Sequence, residues 1–531
     1  MGTHRLLPNF DGLLYEGIAQ PTLNFGGSHD SGSRPRPRWD GAVSWAPRCH
    51  ARSCGLGLTG SKTVMSSLAA PLRNPARLFP AEEPLRGVAA DLYSRVAGAP
   101  IISPHGHVRA ELLAADLAFE DPARLLISSD HYVVRLLHSA GVELSQLGLG
   151  EVPANPREVW RTVAKNWHRF SGTASGYWLD EELAGILGVG VALSEATSDV
   201  VFDAVQSRIL EPDFRPRSLF RKFGIEFLAT TDDPLDDLEH HRTLAHVDLG
   251  GRVAPTFRPD RYLDPDAGDF AERIELLLAT SGASTTFRGY LQALESRREY
   301  FVRNGAVSAD HGVEEMFTVD LDAAEAEVLF QSVVRGSADA AARRLFRGHM
   351  LLQMARMSVD DGLVMTIHPG IARSHSTATA QRFGPDTGHD IPVATSFTHG
   401  IRPLLEKFGL EKDFHLILFT VDESTYSREI APLAGFYPTV FIGAPWWFLD
   451  APDAIGRFRS AVTETAGFYR GSGFIDDTRA FLSIPTRHDT ARRADCAYLA
   501  RLVVEGRIAL PMAERITDDL VSVIPKTAFK L

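Results

Sequence analysis

Short runs of apolar and β-branched residues recur along the chain from residue 65 onward, and each run ends at a polar side chain. Eight such runs occur in order, and each predicts a β-strand. The predicted strands span residues 100–103, 225–230, 253–257, 306–309, 363–367, 416–420, 439–443 and 473–475. Helical periodicity appears between most of them, for example over residues 270–279, 323–334 and 452–464. Strands that alternate with helices favour a parallel sheet, and eight such units predict a closed (β/α)8 barrel.

The segment between the first two predicted strands, residues 108–224, is too long for an ordinary βα loop. It contains helical patterns over residues 130–141, 156–168 and 179–187. We therefore expect a distorted (β/α)8 TIM barrel with a helical insertion after the first strand, and we expect the insertion to cover the site. The predicted organisation is given by three ranges: 65–107 for an N-terminal helix and the first strand, 108–224 for the insertion, and 225–531 for the rest of the barrel and the C-terminal helices.

The first 64 residues differ from the rest because they are rich in glycine, serine, proline and arginine. This composition predicts a disordered extension. The segment has no apolar core of the kind found in a secretory signal. A start codon placed too far upstream, with Met65 as the true first residue, would explain the extension, and a transit peptide is the alternative.

Composition limits the classes of partner. The 531 residues are 44% hydrophobic and 23% charged, with a net charge of -12, which argues against nucleic acid. An acidic sugar could still bind through a few local arginines. The chain has no apolar run of 18 residues, so neither the composition nor the hydropathy indicates a membrane partner. Three cysteines, Cys49, Cys54 and Cys496, make no disulfide framework and favour a reducing cytoplasm.

Ionisable or aromatic side chains follow every predicted strand. In a barrel these positions converge on one face, where active sites lie. In chain order they are His105 and His107, Asp232 and Asp233, Arg258, Asp310 and His311, His368, Asp422 and Glu423, Trp446 and Trp447, and Asp477 with Arg479. Each also has an ordinary explanation, since aspartates cap helices and tryptophans pack in cores. Their joint placement is what indicates a functional site.

His105 and His107 form the only His-x-His pair in the chain. Side chains at positions i and i+2 of a strand point the same way, so both imidazoles can reach one ion. Two histidines and one carboxylate, here Asp477, leave a coordination position open, which is typical of a catalytic metal site. The alternative is that the two histidines only cap a strand end.

Motifs spread over residues 75–530 resemble the uronate isomerase family, an outlying branch of the amidohydrolase superfamily whose members have a metal-bearing (β/α)8 barrel. The motifs are His105-x-His107, Asp130-His131-Tyr132, Thr230-Thr231-Asp232-Asp233-Pro234, Arg258-Pro259-Asp260, Asp310-His311-Gly312, Trp446-Trp447-Phe448, Asp477-Thr478-Arg479 and Arg487-His488-Asp489. Two departures occur. Ser103-Pro104 precedes the histidine pair where many relatives have Asp-x, and residues 368–373 lack the more familiar Gly-Ala-x-Arg-Asn form.

The resemblance implies an aldose–ketose isomerase that converts D-glucuronate to D-fructuronate and D-galacturonate to D-tagaturonate. It implies that His105, His107 and Asp477 hold a divalent metal, usually zinc, with manganese as the alternative. It also implies which residues line the substrate: His131, Tyr132, Arg217, Asp260, His311, Trp446 and Arg479.

Moving a proton between C2 and C1 requires a base and a group that stabilises the developing oxyanion. We expect Asp477 to move the proton, Tyr132 and Arg479 to stabilise the oxyanion, and His131 to orient hydroxyl groups together with His311. Arg217 would grip the substrate carboxylate, because a guanidinium group makes two parallel hydrogen bonds. Asp260 and Trp446 would complete the binding site, with the indole as an apolar wall.

Two other functions compete with this interpretation. A mononuclear metal-dependent hydrolase on the same barrel would use Asp477 to activate water, and His368 at the fifth strand suits it. A non-catalytic barrel that binds sugar acids would keep Arg479 and Trp446 without needing the metal ligands. The expected partner is a small hexuronate, and a homo-oligomer is compatible with the sequence.

Overall fold

The computed structural model describes residues 74–152 and 154–531. The extension predicted over residues 1–64, the alternative start at Met65, and Cys49 and Cys54 lie outside the described residues. Cys496 is a free, buried thiol. Within the described ranges, no helix is both long enough and apolar enough to cross a bilayer.

The strands form two parallel sheets and one small hairpin. The first sheet has the order β1-β2-β3 and the second has the order β4-β5-β8-β9, while β6 pairs with β7 in antiparallel fashion. The strands are β1 Ile101–Ser103, β2 Ile225–Ala229, β3 Arg252–Ala254, β4 Ser308–Val313, β5 Val364–Pro369, β6 Ile371–Ala372, β7 Ile391–Pro392, β8 Leu416–Leu418 and β9 Val440–Ile442. The prediction of an α/β fold with parallel sheets is confirmed.

Seven of the predicted strands overlap observed strands, but several of their ends are wrong. The third and sixth are shorter than predicted, since β3 ends at Ala254 and β8 at Leu418, and two others are longer. The fourth was expected to end before Asp310, yet β4 continues through Asp310 and His311. The fifth likewise continues through His368. These polar residues stay in the sheet because β4 and β5 pair along their whole length, and the Thr366 hydroxyl donates to Asp310 Oδ1 at 2.6 Å.

The eighth predicted strand, over residues 473–475, is not a regular strand. Gly473 has a positive φ of 76°, and a β-carbon there would lie 2.6 Å from Pro525 Cβ, so the chain bends away from the sheet. Within the described residues, β9 pairs on this side through a single parallel bridge between Ile442 and Gly471, just before the segment. A similar bridge between Phe257 and Ala309 links the two sheets.

The segment predicted as an insertion contains six α-helices and, among its described residues, no strand. With the helix that precedes β1, these are α1 Leu85–Val96, α2 Ala110–Ala115, α3 His131–Ser139, α4 Pro156–Lys165, α5 Ala174–Glu181, α6 Ser198–Ile209 and α7 Pro216–Lys222. Local sequence sets their starts: the Asn155 side chain caps α4, and Pro156 occupies its first position. The helix predicted over residues 179–187 is instead α5 followed by a π-helical turn, Glu182–Ile186.

The remaining helices follow β2 to β9 along the chain, and the last three form its C-terminal segment. They are α8 Glu239–Leu244, α9 Asp260–Leu263, α10 Phe270–Ser281, α11 Phe287–Arg303, α12 Ala323–Val334, α13 Ala340–Asp361, α14 Thr377–Phe383, α15 Arg402–Phe408, α16 Glu423–Thr425, α17 Ala431–Ala434, α18 Pro452–Ala466, α19 Ser483–Val504, α20 Leu510–Val521 and α21 Val523–Phe529. The helices predicted over residues 270–279, 323–334 and 452–464 are confirmed as α10, α12 and α18.

Two large apolar clusters hold the fold together. One packs α10 to α13 against β5, β8 and β9, and the other packs the helices of residues 108–224 against β1 and β2. Helix α19 is different, because much of its buried surface is polar and includes Arg487, His488, Arg492 and Arg493. Buried charge of this kind requires partners, and the partners of Arg487 and His488 lie behind the site.

Candidate active site

A cavity of about 380 Å³ lies beyond the carboxyl ends of β1, β3, β5 and β9. Ligands bind at this edge of parallel sheets because loops from several strands meet there. Seven of the ten residues predicted from the sequence line the cavity: His105, His107, His131, Asp260, Trp446, Asp477 and Arg479. The structure does not bring Tyr132, Arg217 or His311 to its wall.

The predicted metal ligands converge at the bottom of this cavity. Asp477 Oδ1 lies 3.0 Å from His107 Nε2 and 3.3 Å from His105 Nε2. Burial alone would raise the pKa of the Asp477 carboxyl group, but the two imidazoles hold it well below its usual value. Asp477 also has a positive φ of 45°, a strained conformation for a residue with a side chain.

The geometry of this cluster fits a metal ion. Asp477 Oδ1 is buried and, among the described residues, accepts no hydrogen bond although two ring nitrogens approach it. Imidazole nitrogen and carboxylate oxygen are ligands that a divalent cation prefers, and the three atoms lie within 4.8 Å of one another. The cluster could therefore hold a divalent metal.

A second set of potential ligands shares His105 with the first. It consists of His105, Asp310 and His368, all of which are buried. His368 Nδ1 lies 2.7 Å from Asp310 Oδ1, and the imidazole stacks on His105 and also on Phe419. The sequence analysis gave His368 a role only in the competing hydrolase, and the structure makes it part of the cavity wall.

Arg258 bridges two carboxylates: that of Asp310, which belongs to the second set, and that of Asp260 beside it. Its guanidinium group contacts Asp260 Oδ2 at 2.8 Å and Asp310 Oδ2 at 3.3 Å. Burial alone would raise the pKa of Asp310, but His368, His105 and Arg258 hold it well below its usual value. Asp260 also accepts a hydrogen bond from the backbone N–H of Gly312, which fixes its carboxylate at the cavity wall.

The opposite wall comes from a loop that the sequence analysis missed. Residues between β6 and β7 bring Arg373, Asp386 and Asp390 into the cavity. Arg373 Nη1 lies 3.1 Å from Asp390 Oδ2, and Arg479 Nη2 lies 3.0 Å from Asp386 Oδ2. The only sequence signal was the departure from the familiar form over residues 368–373, since irregular loops have no hydrophobic period.

His131 adds a neutral imidazole to the cavity. Burial, assisted by the nearby Arg479 charge, lowers the pKa of His131 to about 3. Its Nε2 atom is buried and has no hydrogen-bond partner within the described part of the chain. The ring lies 5.5 Å from that of Trp447, which continues the aromatic wall begun by Trp446.

Two predicted substrate contacts, His311 and Arg217, point away from the cavity. His311 alternates with Asp310 along β4, so its ring faces away and donates from Nδ1 to the carbonyl oxygen of Thr366. The Arg217 guanidinium group donates to the carbonyl oxygens of Leu113 and Ala114.

Tyr132 follows His131 on α3 and turns away from the cavity. Its ring lies 5.9 Å from Trp178 and beneath the Arg487 guanidinium group, 5.0 Å away. Burial raises the pKa of Tyr132 well above its usual value, so the phenol remains protonated.

A model of the family described as glucuronate isomerase matches residues 85–527. The chain belongs to the glucuronate isomerase family. The uronate isomerase of Rhizorhabdus wittichii is 50% identical over 465 residues, covering 87% of this chain and 100% of that protein. The uronate isomerase of Corynebacterium efficiens is 47% identical over 462 residues, covering 86% of this chain and 98% of that protein.

Solved structures agree with this assignment to the glucuronate isomerase family. The crystal structure of glucuronate isomerase from Caulobacter crescentus has a TM-score of 0.84 and 44% identity, covering 86% of this chain and 96% of that one. The crystal structure of uronate isomerase from Thermotoga maritima has a TM-score of 0.81 and 26% identity, covering 85% of this chain and 98% of that one. The family resemblance predicted from the motifs is confirmed.

In this member of the glucuronate isomerase family, α19 supports the metal-ligand cluster from behind. His488 Nε2 lies 3.2 Å from Asp476 Oδ2, and Arg487 donates to the backbone carbonyl oxygen of Asp476 at 3.1 Å. On the other side, the Thr231 hydroxyl donates to the carbonyl oxygen of Gly106, between the two histidines. These bonds orient both halves of the ligand set.

Proposed function

We propose that the protein is a uronate isomerase, which converts D-glucuronate to D-fructuronate and D-galacturonate to D-tagaturonate. The observation that carries the proposal is the convergence of His105, His107 and Asp477 at the bottom of the cavity, in a chain of this family. The cavity volume of about 380 Å³ suits a small-molecule site. Arg373 and Arg479 on its wall suit an anionic sugar.

We further propose that the two sheets form one closed, distorted (β/α)8 barrel with residues 108–224 as a helical insertion and 225–531 as the rest. The bridge between Phe257 and Ala309 supports continuity between β3 and β4. A hydrogen bond of 3.0 Å from the His107 N–H to the Thr478 carbonyl oxygen supports closure between the first and last segments.

The metal that we propose at His105, His107 and Asp477 is zinc, with manganese as the alternative. Neutral imidazoles and a carboxylate are common zinc ligands, and three protein ligands leave a position open. When bound, such an ion polarises oxygen atoms that coordinate to it.

The proton transfer is proposed for the groups around the metal site. Asp477 is the candidate base at C2, because its carboxylate is ionised and faces the cavity. Arg479 is placed to stabilise negative charge on the carbonyl oxygen, and His131, neutral over the physiological pH range, is placed to orient a hydroxyl group. Trp446 provides the apolar wall.

Arg373 replaces Arg217 in this proposal as the cation for the substrate carboxylate. Arg217 is held by backbone carbonyls away from the cavity, whereas Arg373 lies on the wall beside Trp447. Tyr132 retains an indirect role: it stacks on His131 with a centroid distance of 4.4 Å and orients that ring. Asp260 remains on the wall as a substrate contact.

A metal-dependent hydrolase is the competing function, and His368 beside Asp310 is the feature that favours it. A second metal ion at His368 and Asp310 is nevertheless unfavourable, because the positively charged Arg258 lies 3.3 Å from Asp310. The free thiol of Cys496 and the small anionic substrate are in keeping with the proposed cytoplasmic location.

The test measures metal content and ketose formation on one sample, before and after chelation. We expect about one metal per chain, ketose from D-glucuronate or D-galacturonate, loss of turnover on chelation, and recovery with zinc or manganese. Bound metal with no ketose from either acid, together with hydrolysis of an ester or amide, would replace the isomerase by the hydrolase.

A further inference from the structure

Asp386 lies on the cavity wall between two arginines. Its Oδ2 atom is 3.0 Å from Arg479 Nη2, and its Oδ1 atom is 3.8 Å from Arg373 Nη1. A carboxylate of the protein therefore occupies the space between two guanidinium groups that face the cavity. The carboxylate of a bound sugar acid would need the same space, since each guanidinium fork binds carboxylates in one plane.

The contact is open to exchange, unlike the buried arginine–aspartate pair of Arg459 and Asp495 elsewhere in the fold. The side chains of Arg479, Asp386 and Arg373 are 36%, 39% and 45% exposed. By contrast, Arg459 and Asp495 are 8% and 11% exposed and form two bonds of 2.7 and 2.8 Å. An accessible pair held by one close contact is weak, so an incoming anion can replace one partner.

The Asp386 carboxylate is held by the backbone. Gly388, two residues further on, packs so closely on α3 that an added β-carbon would lie 2.7 Å from Arg135 Cβ and 3.0 Å from the His131 carbonyl oxygen. Asp386 itself has a positive φ of 60°, which marks a backbone conformation imposed by its surroundings. The long arginine side chains are therefore the parts that can move between two carboxylates.

We propose that Asp386 is a specificity-determining residue, which competes with the substrate carboxylate for Arg479 and Arg373. Without substrate it pairs with Arg479 at 3.0 Å and adds a second carboxylate, 3.8 Å away, beside Arg373, which Asp390 also contacts at 3.1 Å. Asp386 thereby lowers the apparent affinity for anionic sugars. A neutral sugar leaves the pair closed and gains nothing from the arginines. The inference rests on the proposed uronate isomerase function and extends it to the recognition of the acid group.

The test is Asp386→Asn, which keeps the shape of the side chain and removes its charge. We expect the KM for D-glucuronate to fall about threefold to fivefold, the upper part of the range for an exposed ion pair, with no gain in kcat. D-gluconate, which has the carboxylate but no carbonyl group to isomerise, should bind more tightly by the same factor. Asp386→Asn should bind the neutral polyol D-glucitol as tightly as the wild type does. The charge-conserving variant Asp386→Glu should have the wild-type KM for D-glucuronate.

A matched control removes a carboxylate from an arginine pair outside this cavity. Glu315 contacts Arg344 through two bonds of 2.7 Å, and Glu315→Gln should leave the KM unchanged. A higher KM in Asp386→Asn would overturn the proposal, because Asp386 would then support Arg479 rather than compete for it. Equal tightening of gluconate and glucitol would overturn it as well.

The proposal is separable from the isomerase assignment. Calorimetric titration with D-gluconate measures the competition without turnover. Wild-type protein that makes no ketose from either uronate contradicts the proposed function, while the affinity ratio for gluconate between wild type and Asp386→Asn still decides the role of Asp386.

Discussion

The Arg487 guanidinium group donates a hydrogen bond to the backbone carbonyl oxygen of Asp476, 3.1 Å away, in a fully buried setting. The same Nη1 atom contacts Asp450 Oδ2 at 3.2 Å, and Nε donates to the Ser483 hydroxyl oxygen. Arg487 thereby fixes the peptide that precedes Asp477, whose φ of 45° would otherwise relax. It is a positioning residue, since it contacts no ligand itself.

Replacing Arg487 should weaken the proposed metal site. For Arg487→Lys we expect a loss of about 10- to 100-fold in metal affinity or activity, as for other groups that orient ligands. Arg487→Met should also destabilise the protein by about 3–5 kcal/mol, because Asp450 loses its buried partner. Competition with a fluorescent chelator and chemical denaturation measure the two effects.

Arg492, on the same helix, offers the control. Its guanidinium group bonds to backbone carbonyls near β1, such as Ala99 and Pro100 at 2.9 Å, and touches no part of the ligand set. Arg492→Lys should lower stability and leave the metal affinity unchanged. Equal losses of metal affinity in the two lysine variants would contradict the positioning role of Arg487.

Asp477→Asn should remove both a ligand and the candidate base. We expect kcat to fall by about 10²–10⁴-fold, the usual contribution of a general base, and the metal content to fall with it. Steady-state kinetics and metal analysis of the purified variant check this. Asp422→Asn is the comparison: Asp422 caps α16, asparagine caps equally well, and turnover should be normal. Near-normal turnover in Asp477→Asn would exclude it as the base.

His311 predicts a defined pH dependence of stability. Burial lowers the pKa of His311 to about 4, whereas an unfolded histidine has a value near 6.5. The unfolded state therefore binds an extra proton between these values, so the wild type loses stability as the pH falls below about 6.5. His311→Gln lacks this proton uptake. The stability gap between wild type and variant should narrow by about 3 kcal/mol between pH 7 and pH 4.

Urea denaturation of both proteins across that pH range provides the measurement, and the comparison cancels the other titrating groups. A gap that stays constant from pH 7 to pH 4 would show that His311 has the same pKa in the folded and unfolded states, which would contradict the prediction. Above pH 7 the gap should be flat, because both states hold the ring neutral there.

Gly388→Ala should disturb the loop that carries Asp386. The alanine would need a left-handed backbone and would meet both Arg135 and the His131 carbonyl oxygen. Gly188 also has a positive φ, of 71°, but a β-carbon added there would meet no atom within 4 Å, so Gly188→Ala tests the backbone strain alone. We expect Gly388→Ala to be more destabilising by about 1–3 kcal/mol and to change the KM. Equal effects in thermal denaturation would mean that the loop does not pack against α3.

The sequence was sufficient for the regular elements and for the groups tied to them. Hydrophobic period predicted α10, α12 and α18 as well as the start of β2, because burial of an apolar face is what forms these elements. His105, His107 and Asp477 were expected together from the predicted strand order and from the family pattern. The ends of β4 and β5 were wrong because pairing with a neighbouring strand can bury polar residues such as Asp310.

The outer cavity wall could not be predicted in this way. Arg373 and Asp386 lie in an irregular connection whose shape depends on tertiary contacts, such as that of Gly388 with α3. Arg217 was expected at the site by family motif, but a side chain of that length reaches several acceptors, and backbone carbonyls of α2 hold it. His311 was misplaced by one position of strand alternation, which reverses the direction of a side chain.

The ligand set combines residues from opposite ends of the described chain, because His105 and His107 follow β1 while Asp477 precedes α19. A ribosome has therefore made most of the polypeptide before the third donor exists, and the helix that fixes it emerges later still. Binding of the proposed metal by all three ligands must consequently wait until the segment that carries Asp477 has been made. Premature termination anywhere before Asp477 would yield a chain that lacks the third ligand, however well its earlier strands had folded.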